Sequence, residues 1–146
     1  MNTVANFARH SPWAVLSVVA ALLAGCASMA GTGSIQVTLS GSQEVPPVTT
    51  AATGSGTITV GADKSVSGNV TTAGLVGVAA HIHDGAPDKN GPVIVPLNKS
   101  SDNSWSVPAG ARFTDAQFES YKAGNLYINV HTAAHKGGEI RGQLKP

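Results

Sequence analysis

Four of the chain's five histidines lie in two short stretches, Ala-Ala-His81-Ile-His83-Asp-Gly and Tyr-Ile-Asn-Val-His131-Thr-Ala-Ala-His135. A neutral imidazole offers a nitrogen lone pair, so such clustering points to metal coordination. His81 and His83 are two apart on an extended run. Their side chains leave the same face, with Cα atoms roughly 6.5–7 Å apart. Two rings so placed can reach one ion through nitrogen–metal bonds of about 2 Å. Val78, Ala80 and Ile82 fall on the opposite, core-facing side. His131 stands in the same relation to Leu126, Ile128 and Val130. Neighbouring strands would bring three imidazoles together, and His135, in the next turn, can fold back as an optional fourth. Imidazoles without thiolate suit copper, with zinc as the alternative. Three firmly placed ligands leave a position open, as exchange or redox chemistry requires.

The remaining chemistry is sparse. Asp84, Asp88 and Asn90 lack the acidic density of an EF-hand loop and read as a turn. Glu139 and Arg141 share a strand face and read as structural, pairing with each other or with a neighbouring strand. No nucleophile elbow or P-loop occurs, so no catalytic residue is assigned.

These residues need strands to hold them. Ile35, Val37 and Leu39 alternate with Gln36, Thr38 and Ser40. Residues 41–56 read as a long loop broken by Pro46 and Pro47. Thr57–Val60 and Val66–Thr72 flank the turn GADKS as a hairpin. Val78–His83, Pro92–Leu97, Asn125–His131 and Gly138–Lys145 complete the strands, and residues 101–110 read as loop. One helix is expected over Asp115–Ala123. Thr114 and Gln117 form its capping box, Phe113 and Phe118 a staple, and Gly124 the stop. The fold class is all-β, an antiparallel Greek-key-like β-sandwich with one short helix.

The chain has 146 residues, 12% charged and 5% aromatic, with 17 glycines and a net charge of +1. This suits one β-rich domain and supplies no basic patch, so no nucleic acid is expected as a partner. Residues 1–25 carry Arg9, then an apolar run from Trp13 to Leu23, too short to span a membrane comfortably. His10 lies within this leader. The ending Leu-Ala-Gly-Cys26 resembles the bacterial lipobox. It implies cleavage before Cys26, acylation there, and a membrane-anchored extracytoplasmic lipoprotein, at the periplasmic face of an outer membrane or the cell surface. The expected organisation is a signal peptide over 1–25, a flexible tether over 26–34, and a domain over 35–146. Cys26 is the sole cysteine, so the domain has no disulfide.

The segments EVPP, HIH, NGPV, YINVHT and GEIRGQ occur in order between Ile35 and Leu144. Together they resemble the chordin-type, or CHRD, domain, which occurs in bacterial secreted proteins and lipoproteins. The resemblance implies an extracytoplasmic β-sandwich. The turn Ala134-His135-Lys136-Gly137 departs from the family, which usually has a proline there, and this makes His135 the weakest ligand candidate. A more distant likeness is to the copper half of copper–zinc superoxide dismutases, although the bridging histidine, zinc loop and paired cysteines have no counterpart. The leading expectation is a lipid-anchored CHRD protein that binds copper in metal handling or protection, with no enzymatic activity assigned. The alternatives are a protein-interaction module without metal and a dismutase-like copper enzyme. Metal content separates the first two, and superoxide turnover by copper-loaded protein identifies the third.

Overall fold

The computed structural model describes residues 1–2 and 33–146; the rest of the expected leader, with His10, and Cys26 and most of the expected tether lie outside the described residues. The strands are β1 (Gly33–Ser40), β2 (Thr53–Val60), β3 (Val66–Ala73), β4 (Gly77–Asp84), β5 (Val93–Pro96), β6 (Asn98–Ser101), β7 (Ser104–Ser106), β8 (Leu126–Thr132) and β9 (Ile140–Leu144). Helix α1 (Asp115–Lys122) lies between β7 and β8. The protein is all-β with one short helix, and the strand pairs are antiparallel.

The strands form one nine-stranded sheet, ordered β5-β4-β8-β9-β1-β2-β3-β7-β6, rather than two separate layers. It curls so that its ends meet. The Leu97 amide, between β5 and β6, donates to the Ala80 carbonyl of β4 at 2.9 Å. On the other side the link is thin: β1 and β9 share the single pair Ser40–Arg141. Leu39, Ile58, Val70, Ile82, Trp105, Ile128 and Ile140 fill the core enclosed by this curl. Their burial follows the period-2 pattern, since alternate side chains of each strand face inward.

Four expectations change. The first strand begins at Gly33, inside the expected tether, because Gly33 and Ser34 pair with Val60 and Thr59. The second begins at Thr53, within the stretch expected as loop, its small residues pairing in full register with β1 and β3. Residues 101–110 contain half a hairpin rather than loop alone: Asp102-Asn103 turn tightly and β7 returns along β6. Hydrophobic periodicity misses it because Trp105 is its one buried side chain. Finally, Val78 is 58% exposed instead of core-facing. A bulge between Gly77 and Ala79 inserts an extra residue opposite β8, and this reverses the facing upstream of Ala79.

The helix forms as its caps dictate. Thr114 accepts from the Gln117 amide while the Gln117 side chain accepts from the Thr114 amide. At the other end Gly124 adopts φ +72°. Its amide bonds Tyr121, and the Asn125 amide bonds Ser120, each at 2.8 Å. This paired arrangement satisfies the last carbonyls and stops the helix.

Candidate metal centre

Strands β4, β8 and β9 carry polar side chains on the face turned away from the core. The register sets His83 opposite Tyr127, His81 opposite Asn129, and Ala79 opposite His131. On the far side Arg141 pairs with Asn129 and Gln143 with Tyr127. Opposite His131, Ala79 is only a methyl, so the His131 ring is free to lean diagonally toward His81. His81 Nδ1 and His131 Nε2 are 3.0 Å apart. The ring centroids of His81 and His83 are 5.6 Å apart, and those of His83 and His131 6.2 Å. One ligand nitrogen from each of the three residues lies within 4.8 Å of the other two. Small ring rotations bring that spacing to what bonds of about 2 Å can span.

Backbone carbonyls orient two of the rings. His83 Nδ1 lies 2.9 Å from the Gly91 carbonyl, and His131 Nδ1 lies 2.9 Å from the Lys136 carbonyl. A carbonyl only accepts, so each neutral ring carries its proton on Nδ1; the Nε2 lone pair of His83 is left free, while that of His131 accepts from His81 Nδ1. Gly91 must be glycine, because a Cβ there would collide with the Asp84 carbonyl. His83 is buried, and its Nε2 has no hydrogen-bond partner. An unpartnered buried lone pair carries a desolvation cost that a metal ion would remove.

The sequence placed His81, His83, His131 and His135 as ligands, and the structure brings the first three together. His135 is not in the group. Its amide and carbonyl close the turn onto Thr132 and Gly138, and its charge acts on Glu139. The expected Glu139–Arg141 pair does not form. Glu139 accepts from Thr50 and Thr132. Arg141, almost fully buried, donates to the carbonyls of Lys89 and Ala86 and to Gln143. Asp84 accepts from Ser120, and Asn90 donates to the Val45 carbonyl, so both have structural partners.

Four neighbours of the histidines were not assigned from sequence. Tyr127 stacks on His83 with its ring 5° from parallel, and the Arg141 guanidinium lies 3.4 Å from the other side of that ring. Asn129 is buried with its Oδ1 unpartnered. Glu44 is buried beside the Asn129 amide, and burial pushes its carboxyl pKa up. Alternation puts Tyr127 and Asn129 on the His131 face, which was a usable signal. Glu44 arrives from the loop after β1; it opens the segment EVPP, but nothing in its local pattern places it beside the histidines.

Burial lowers the pKa of both His81 and His83 from the ordinary 6.5, with His131 adding repulsion at each. An unfolded chain takes up protons near pH 6.5 that these folded histidines resist until lower pH. Their contribution therefore weakens stability as pH falls below about 6.5. Thermal unfolding of the metal-free domain should show a midpoint that drops through this window. Substituting Gln for both His81 and His83 should flatten the drop; an unchanged slope would mean that the two rings pay no burial cost.

An antiparallel β domain with three imidazoles gathered on the outside of its sheet, beneath covering loops, is the class that fold and site define. The family model of the CHRD domain matches residues 35–144, and the chain belongs to the CHRD domain family. No curated protein and no solved structure is detectably similar to it.

Proposed function

We propose that this CHRD-domain protein binds one copper ion, or alternatively zinc, through His81, His83 and His131. It acts as a lipid-anchored extracytoplasmic protein in metal handling or protection. The observation that carries the reading is His83: its Nδ1 is held by the Gly91 carbonyl, and its buried Nε2 has no partner. His131 repeats the same orientation from β8. Outer-shell carbonyls of this kind fix tautomer and ring direction at metal-binding histidines. Three neutral nitrogens without thiolate favour copper or zinc over hard cations. Elemental analysis of domain purified without affinity resin is the test. Near one equivalent of copper or zinc per chain supports the reading, and metal-free protein that refuses both ions defeats it.

Anchoring rests on the apolar run that ends in Leu-Ala-Gly-Cys26. Labelled palmitate should enter the wild type, and Cys26→Ser should release soluble protein. Wild type that never incorporates the label would refute the anchor.

A further inference from the structure

We propose that Arg141 is the positioning residue of this centre, holding His83 in its metal-competent tautomer through the loop between β4 and β5. The proposal rests on the metal reading above for its functional meaning, but its geometry stands apart from any ion. Arg141 sits on β9, two strands away from His83. Its guanidinium reaches past Tyr127 to the covering loop, donating at 3.0 Å to the Lys89 carbonyl and at 3.1 Å to the Ala86 carbonyl. Gln143 adds a bond to the Gly85 carbonyl at 2.9 Å. The loop so held presents the Gly91 carbonyl to His83 Nδ1, and the Gly91 amide donates to the Tyr127 hydroxyl. The same Tyr127 ring lies between Arg141 and His83. One side chain thus fixes both the acceptor at His83 Nδ1 and the ring on which His83 lies.

Arg141 has no ion-pair partner among the described residues. The Glu44 and Asp88 carboxyls act on its charge from a distance, but its direct partners are all neutral, and burying a guanidinium in this way is costly, so its place calls for a purpose beyond filling space. A competing arrangement supplies one. The unpartnered Oδ1 of Asn129 and the unpartnered Nε2 of His83 belong to adjacent buried side chains. A neutral ring has one proton. On Nε2 it would face Asn129, and a small shift of the two side chains would satisfy both orphaned atoms at once, but the ligand lone pair would be lost. On Nδ1 it bonds Gly91 and keeps Nε2 free. The loop carbonyl, held by Arg141, biases the proton to Nδ1.

Long-range proton–nitrogen NMR on metal-free protein, at a pH where His83 is neutral, reads this tautomer directly. Wild type should show His83 protonated on Nδ1. Arg141→Gln should shift it to Nε2 and weaken copper or zinc binding by about 10–100-fold, the range for losing an outer partner of a ligand histidine. Arg141→Lys, which keeps the charge but not the planar fork, should shift it partly and serves if the Gln variant does not fold. Adding Asn129→Leu to Arg141→Gln removes the rival acceptor and should restore both the Nδ1 tautomer and affinity. A general packing role for Arg141 would not be rescued this way. His83 staying on Nδ1 in both Arg141 variants, or lying on Nε2 in wild type, overturns the proposal. Wild type that takes up no metal refutes the metal reading instead, and leaves the tautomer result to decide the role of Arg141.

Discussion

His83→Ala should take metal binding from near one equivalent to background, while the metal-free domain stays folded and loses little stability. The two halves of this expectation have one cause. In wild type the His83 ring is buried, stacked on Tyr127, with Nε2 unpartnered. Leaving a buried polar atom unsatisfied costs about 1–3 kcal/mol, and removing that atom returns the cost. The lost stacking, the lost bond to the Gly91 carbonyl and the space left by the ring offset that gain. The ligand loss has no such offset. With His83 gone, His81 and His131 can supply two nitrogens, and affinity should fall by at least about 100-fold, since removing mere outer partners of ligand histidines already costs 10–100-fold. His131→Ala should do the same, because its Nε2 lies 3.0 Å from His81 Nδ1. His135→Ala should leave binding unchanged, its residue being outside the group. Isothermal titration with copper and zinc, paired with thermal unfolding of the metal-free variants, checks all three. Wild-type affinity in His83→Ala, or loss of binding in His135→Ala, would disprove the three-histidine centre.

Much of this centre is legible from alternation alone. The face shared by His81 and His83 follows from their spacing, and that of His131 from Leu126, Ile128 and Val130 opposite. What period 2 cannot supply is which strands are neighbours. That β4 pairs with β8, two crossovers later in the chain, is a property of the whole sheet. The bulge at Val78 escapes for a related reason: a run of small and apolar residues looks the same with or without one extra residue. For Arg141, the spacing on its strand suggests Glu139 or a residue of a neighbouring strand, and neither is its main partner. Its true acceptors are backbone carbonyls of a distant loop, to which side-chain identity gives no clue. The helix was clearest, since both of its ends are set by local hydrogen bonds.

The polar layer outside the sheet can be tolerated because the domain's stability resides elsewhere, and Trp105→Ala should show where. Trp105 is 1% exposed and heads the fully buried side chains by size. On β7 it pairs with Val70 of β3 and Lys99 of β6. Its ring reaches across the core to Gly77 of β4, beside Val130 of β8. It therefore braces the two ends of the curled sheet where they approach. Truncating a buried Trp costs about 3–5 kcal/mol, a large share of the 5–15 kcal/mol that holds a domain together. For a domain of this size the unfolding midpoint should fall by about 10–20 °C. Trp105→Phe should cost less, since it keeps most of the ring and removes the unpartnered indole Nε1. Val78→Ala, on the exposed bulge, should stay within about 0.5 kcal/mol of wild type. Metal binding supplies a second readout. Loss of the brace loosens β4, which carries His81 and His83, so Trp105→Ala should weaken metal affinity at temperatures where it remains folded, although Trp105 touches none of the ligands. A shift under about 2 °C, or an affinity equal to wild type, would mean that the sheet keeps its curl without the indole and that the closure at Leu97 and Ala80 suffices.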